Sequence, residues 1–417
     1  MTQKKLAIIG AGPIGLEAAL YASVLGYEFV VFEKNTVAAN IESWGHVSLF
    51  SPWKMNHSPL GVQHLRQNDL AWSEPDPDAC LSGKEYVQSY LKPLSKLPRL
   101  ANHIYPGVRV VAIGKEQIFK GELIGNDKRA EFPFRMLTVD SRGTENIYHA
   151  DVVVDASGVY DNHNWLGEGG IPAVGERACE PYITYHLEDI YGAIRSKFAG
   201  KRTLLVGAGY SAATTACDFQ NLIREEPSTS LLWVIRENRP LPIPAIQNDP
   251  LIGRAQLTET ANAIAQSASP RIEFRNNTTV DSIHYLKSDN RFKVGLKSNG
   301  LIESVEVDRV IANVGYSPDN SIYRELQVHE CFASRGPMKL SAALLGSSTD
   351  CLAQTSQGAD TLKNPEPNFY IIGNKSYGRN SSFLISIGLS QIQEIFTLIT
   401  GNKTLNLYER RTETTSN

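Results

Sequence analysis

Apolar positions along the first forty residues change rhythm twice. Leu6-Ala7-Ile8-Ile9 is a continuous apolar run, the pattern of a strand covered on both faces of a parallel sheet. Across 16–25 the apolar residues Leu16, Ala19, Leu20 and Val24 return at helical spacing, which predicts a helix stopped by Gly26. A second apolar run, 29–32, predicts the next strand. The same order recurs from 203–206, a predicted strand followed by a helix and then by the strand Ser230-Leu231-Leu232-Trp233-Val234-Ile235. Each half closes on a matching segment, Asp151-Val152-Val153-Val154-Asp155-Ala156-Ser157-Gly158 and Asp308-Arg309-Val310-Ile311-Ala312-Asn313-Val314-Gly315. Aligning Gly158 with Gly315 also aligns Asp151 with Asp308, so the chain repeats a plan. Near the C-terminus, 383–399 has a helical apolar pattern with Asn380 or Ser381 as its capping residue. The expected fold class is α/β, built from two doubly wound domains.

The joints between strand and helix carry the candidate chemistry. Gly10-Ala11-Gly12-Pro13-Ile14-Gly15 is G-x-G-x-x-G, placed directly after the first strand. In that order Gly10 makes the tight turn, Gly12 lets backbone N–H groups approach a pyrophosphate, and Gly15 lets helix and strand pack closely. The helix N-terminus adds the partial positive charge that a pyrophosphate favours. Glu33 closes the second strand 23 positions after Gly10, near the ~20 expected of a carboxylate that accepts ribose hydroxyls. In the second copy, Gly207, Gly209 and Ser211 are followed by Ala212 in place of the third glycine, a change the fingerprint tolerates. The counterpart of Glu33 there is Arg236. A guanidinium pairs bidentately with a ribose 2′-phosphate, so Arg236, helped by Arg239, points to NADPH over NADH. One acid-ended and one arginine-ended site suggest two different dinucleotides, and a flavin with a nicotinamide is the useful pairing because hydride passes between them.

Composition narrows the classes. The 417 residues imply two or three domains, and 41 basic against 44 acidic side chains, net −3, argue against general attraction to nucleic acid. No uninterrupted apolar stretch reaches the ~18 residues of a membrane span. The opening residues are not read as a targeting signal, because Glu17 interrupts the apolar stretch and glycines dominate its head. Cys80, Cys179, Cys217, Cys331 and Cys351 are an odd set with no C-x-x-C pair, which argues against a disulfide framework, a zinc knuckle and a vicinal redox pair. No histidine stands at metal-ligand spacing. A cytoplasmic location is expected.

With IIGAGPIGLEAA, VVVDASG, LLVGAGYSAA, VIANVGYSPD and Asn368-Phe369-Tyr370-Ile371-Ile372-Gly373-Asn374 in hand, the sequence resembles the FAD- and NAD(P)H-dependent flavoproteins with two dinucleotide-binding domains, the superfamily of thioredoxin-reductase-like enzymes and flavin-containing monooxygenases. The resemblance implies two Rossmann-like domains: an NADPH domain, 196–317, inserted into an FAD domain split between 1–195 and 318–417, with a cap around 37–105. It assigns Gly10, Gly12, Gly15, Glu33, Trp44, Ala156, Gly158, Gly373 and Asn374 to FAD. Gly207, Gly209, Ser211, Ala212, Arg236, Arg239 and Gly315 go to NADPH. Asn374 stands where such proteins carry an acid near the flavin ribityl chain; asparagine keeps one acceptor and adds donors. The helix of 383–399 would aim its N-terminus at the flavin pyrimidine edge and favour negative charge there by about 0.3–1 kcal/mol. Arg379 either adds to this or lies at the surface or the pyrophosphate.

The resemblance leaves the reaction open. Thioredoxin reductases carry two cysteines shortly before the second glycine loop, whereas 183–189 holds no thiol, which excludes that dithiol relay. Cys351 remains a candidate single redox thiol, with a small buried apolar residue as the alternative reading. The segment containing Trp44, His46 and Trp53, followed by His57, His64 and Trp72, would either cover the isoalloxazine and exclude water or pack as an ordinary core. The monooxygenase fingerprint F-x-G-x-x-x-H is not matched. Expected is an FAD-dependent NADPH oxidoreductase, with oxygenation of a small molecule favoured and Cys351, Arg379 and His46 as candidate catalytic residues. Electron transfer to a quinone, ferredoxin or low-molecular-weight disulfide is the first alternative, and a flavin-bound redox sensor or binding module the second. Expected partners are a small-molecule substrate or acceptor, not nucleic acid or a membrane; a homo-oligomer stays open.

Overall fold

A computed structural model describes residues 4–267, 269–346, 352 and 355–409. The fold is mixed α/β with parallel sheets, in two compact units, Met1–Asn162 with Ser317–Asn417, and His163–Tyr316. The first unit contains β1 (Lys5–Ile9), β2 (Glu28–Glu33), β3 (Ile104–Pro106), β4 (Val108–Lys115), β5 (Phe134–Asp140), β6 (Glu145–Ala150), β7 (Val152–Asp155) and a last strand, β15 (Phe369–Ile371). Its parallel sheet runs in the order β15-β7-β1-β2-β3. Leu6, Ala7, Ile8, Val152, Val153 and Val154 have no exposed surface, which is why these strands read as continuous apolar runs. An antiparallel sheet, β4-β5-β6, stands beside it.

The second unit repeats the design with β8 (Arg202–Val206), β9 (Ser230–Val234), β10 (Ile272–Arg275), β11 (Thr278–Leu286), β12 (Arg291–Ser298), β13 (Leu301–Val307) and β14 (Arg309–Ala312). Its parallel sheet is ordered β10-β9-β8-β14 and its antiparallel sheet β11-β12-β13. The aligned aspartates act alike: Asp151 accepts the Lys5 backbone N–H and Asp308 that of Arg202, each at 2.8 Å. Both thereby clip the closing strand to the head of the opening one.

Three expectations need correction. Residues 163–195 belong to the second unit, so the divisions follow Asn162 and Tyr316 rather than 195 and 317. The cause is backbone pairing: Gly167 bridges to Val280, Val174 to Ser282 and Thr184 to Ile311. The first helix spans Pro13–Val24, three residues ahead of its apolar pattern, because proline is preorganised for a first helical position. The C-terminal helix spans Ile385–Thr400 without a side-chain cap, and the Asn380 side-chain Oδ1 instead accepts the Ser382 N–H at 2.9 Å, ahead of the helix.

Between β2 and β3 the chain is helical, with Pro59–Asn68 its longest regular helix. Trp53, Tyr86 and Tyr90 are buried here, and Trp53 stacks on His57 at 4.3 Å. The segment joins the core of the Pro13–Val24 and Ile385–Thr400 helices. One polar latch fastens it: the buried Glu17 carboxylate, on the first helix, accepts Ser58 Oγ–H at 2.7 Å and the Tyr90 hydroxyl. Burial raises the Glu17 pKa above its ordinary value, against the lowering effect of those donors.

Candidate functional site

In open parallel sheets, ligands bind beyond the carboxyl ends of the strands where the order reverses. In the first unit that point is the end of β1, between β2 and β7. Gly10 turns there with φ +99°, and a Cβ on it would lie 2.8 Å from the Ala156 carbonyl oxygen. A Cβ on Gly15 would fall 1.9 Å from the Gly10 oxygen, so the helix could not pack with any side chain there. Gly12 is different: its Cβ would meet no atom within 4 Å. The helix that follows has no side-chain cap, so its first N–H groups face that opening without one. Glu33, half-buried at the end of β2, ties the loop down by accepting the N–H groups of Ala11 and Asn35, both at 2.8 Å.

The second unit builds the same cradle. Gly207 has φ +147° and its Cβ would stand 2.3 Å from the Asn313 oxygen, while Gly209 opens on no atom within 4 Å. Ala212, in place of a third glycine, is fully buried on the first turn of the Tyr210–Glu225 helix. Trp233 Nε1 donates to the Gly207 oxygen at 2.8 Å and fixes the loop from β9. The Tyr210–Glu225 helix has no side-chain cap, and Ser211 is exposed on its first turn. Gly315 turns with φ +82°. The arginines diverge: the Arg236 side chain is 79% exposed and paired with Glu237 at 3.1 Å. Arg239 is half-buried with Nη2 3.5 Å from the Ala208 oxygen, and its buried Nε has no hydrogen-bond partner among the described residues.

The other candidates spread around the first unit. Ala156 donates its N–H to Ile9, and Gly158 turns with φ +73°. Gly373, φ +71°, sits against Ile14 and donates its N–H to Gln391 at 2.8 Å. Asn374 is half-buried. Arg379 and His46 are exposed. The Trp44 ring packs where a Cβ on Gly83 would be, 2.7 Å from its nearest carbon, which makes it part of the helical segment's packing. Cys351 lies outside the described residues. Cys80, Cys179, Cys217 and Cys331 are all free thiols, and burial pushes Cys217 up to about 11.

Sequence patterns missed a buried ion pair. At the carboxyl ends of β7 and β15, Lys375 Nζ lies 2.7 Å from Asp155 Oδ2, with both side chains buried. Ser157 Oγ donates to Asp155 Oδ1 at 2.6 Å and lies 3.1 Å from the same ammonium. An acid ending an apolar strand, and a lysine directly after Ile371-Ile372-Gly373-Asn374, were the available signals. Nothing local showed that they meet. Among the described residues no three His, Cys, Asp or Glu side chains are grouped to hold a metal ion, and no helix is long and apolar enough to cross a membrane.

No protein-family model matches the chain, and no curated protein sequence matches it. Solved structures do. The chain is similar to a bacillithiol disulfide reductase from Bacillus cereus, at TM-score 0.67 and 18% identity over 96% of this chain and 99% of that one. It is similar to the FAD-bound cadaverine monooxygenase of desferrioxamine biosynthesis from Erwinia amylovora, at TM-score 0.64 and 15% identity over 96% and 95%. An ornithine N-hydroxylase from Kutzneria sp. 744, solved with reduced FAD, NADP+ and L-ornithine, aligns at TM-score 0.62 and 14% identity over 96% and 100%. At these identities the likeness is one of fold.

Proposed function

We propose that the chain is an FAD-dependent NADPH oxidoreductase acting on a small molecule, with the first unit as a flavin-binding domain and the second as an inserted NADPH-binding domain, both Rossmann-like. One observation carries this reading: each unit presents a glycine loop whose middle glycine opens on empty space beside an uncapped helix N-terminus. That is the shape a pyrophosphate fills. Gly10, Gly12 and the first turn of the Pro13–Val24 helix would hold the FAD pyrophosphate. Glu33 keeps lone pairs for ribose hydroxyls beyond the two N–H groups it binds. Asn374 would meet the ribityl chain, and the uncapped Ile385–Thr400 helix would favour negative charge on the ring. Gly207, Gly209 and Ser211 would cradle the NADPH pyrophosphate, and Arg236 and Arg239 would take the 2′-phosphate. When bound, NADPH supplies a hydride and FAD accepts it; the chain's share is binding, orientation and the exclusion of water.

For the acceptor we favour oxygenation of a small amine-like substrate, supported by likeness to amine hydroxylases along nearly the whole chain. A specific observation favours a second reading, reduction of a low-molecular-weight disulfide: the likeness to bacillithiol disulfide reductase reaches TM-score 0.67. One experiment separates them. Protein reconstituted with FAD is reduced by NADPH without oxygen, then offered either oxygen with a panel of diamines and amino acids, or disulfides alone. Hydroxylated product supports the first reading and stoichiometric thiol release the second. Protein that stays colourless after incubation with FAD refutes both, and turnover with neither class refutes the choice of acceptor.

A further inference from the structure

The outer face of the β4-β5-β6 sheet carries a groove of about 790 Å³ that the proposed chemistry does not use, and all of it lies within the first unit. Its floor is the cross-strand row Ala112, Leu137 and Ile147, with Gly114 beside it. A Cβ on Gly114 would meet no atom within 4 Å. Ile118 and Phe119 form a wall, and the Phe119 ring is 81% exposed.

That exposure is not the slackness of a loop. The buried Arg129 guanidinium donates to the carbonyls of Phe119 at 3.1 Å and Glu122 at 2.7 Å, while its other edge makes a bidentate pair with the buried Glu366 carboxylate. Gln327 adds donors to the carbonyls of Lys120 and Glu122. A buried ion pair thus fixes the backbone that carries this exposed aromatic side chain. Large exposed apolar groups beside a recess mark interaction surfaces, and rigid aromatic residues are their usual energetic centres.

We infer that this face is a self-complementary interface, in which Phe119 of one copy enters the Gly114 recess of a second copy of this chain. The occupant follows from the inventory of the face. Knob and recess lie on the same surface, as a two-fold isologous contact requires. Charges of both signs line them: Arg135 beside Gly114 at one end of the cross-strand row, Glu145 at the other end, and Glu325 and Lys120 elsewhere on the rim, and Arg135, Glu145 and Glu325 make no ion pair among the described residues. Facing a two-fold related copy, each sign meets its opposite. A single-signed partner would leave one set unpaired.

The test uses the full chain in analytical ultracentrifugation over a wide concentration range, with Phe119→Asp, Gly114→Trp, Arg135→Glu and the double variant Glu145→Arg/Glu325→Arg. Expected is a reversible dimer whose dissociation constant rises at least about thirtyfold in Phe119→Asp. Gly114→Trp, which fills the recess, weakens it likewise. Each charge variant alone dimerises poorly, whereas mixing the two restores a mixed dimer. Circular dichroism and FAD binding equal to wild type show that the variants fold. A wild-type monomer at all concentrations overturns the inference. So does a dimer that these variants leave intact, or a monomer whose groove protects Phe119 only when a peptide or small molecule is added.

Discussion

Replacing Lys375 with methionine removes the ammonium from the buried pair and leaves the carboxylate of Asp155, which has no exposed surface, with only the Ser157 hydroxyl and N–H as donors. Those neutral donors offset part of the desolvation of a full charge. Breaking such a pair from one side costs about 3–5 kcal/mol, whereas removing both charges together is close to neutral. Lys375→Met should therefore lose about 3–5 kcal/mol, and Asp155→Asn added to it should recover most of that loss, because the asparagine still offers an acceptor to Ser157. A chain of two units need not unfold in one step, so the assay is native-state hydrogen exchange read at the β1 and β7 amides. With about 1.4 kcal/mol per tenfold, Lys375→Met should exchange there roughly one hundred to several thousand times faster. A loss below about 1 kcal/mol would mean that water reaches the pair in solution. A double variant no better than the single one would refute the charge argument and leave only packing.

Gly12→Ala should leave stability unchanged or raised by about 0.4–1 kcal/mol, since Gly12 has φ −81° and open space at Cβ, yet weaken FAD binding by tenfold or more. Gly15→Ala should fail to fold, and a Gly12→Ala protein with full flavin affinity would deny the loop its role. Arg236→Ala should raise the Michaelis constant for NADPH several-fold more than that for NADH; equal changes would remove it from 2′-phosphate binding. Glu17 keeps its proton in the folded state above the ordinary value of 4.5, so its contribution to stability is greatest below that pH and falls as pH rises through the folded pKa. Glu17→Gln should flatten that decline in urea midpoints measured from pH 4.5 upward, and an unchanged slope would place the titration elsewhere.

Features forced by local sterics were legible in the residues. Both glycine loops, the two strands that open each half and the paired closing segments follow from apolar runs and from turns that admit no Cβ. The antiparallel sheets were not legible. Bulges between Val110 and Ala112 and between Val280 and Ser282 break the alternation that would reveal them. In β13 five of seven residues are exposed, so one buried face leaves little pattern. Lys375 and Asp155 lie 220 positions apart, and Arg129 and Glu366 lie 237 apart. No window of sequence contains either pair, and only the folded topology brings them together.

Hydrogen-bond satisfaction divides the polar groups around the glycine loops into two sets with different work. Asp155, Lys375, Ser157, Gln391 and Glu17 bond to other parts of the chain, and their positions are over-determined. They hold the frame. The Nε of Arg239 and the amides at the two uncapped helix starts have no side-chain partner among the described residues, although burial or proximity to burial makes an unmet donor costly. On the proposed function, these are the groups a bound dinucleotide would meet. Substitution in the first set should therefore change folding before it changes binding. In the second set, binding should change while folding stays as it is.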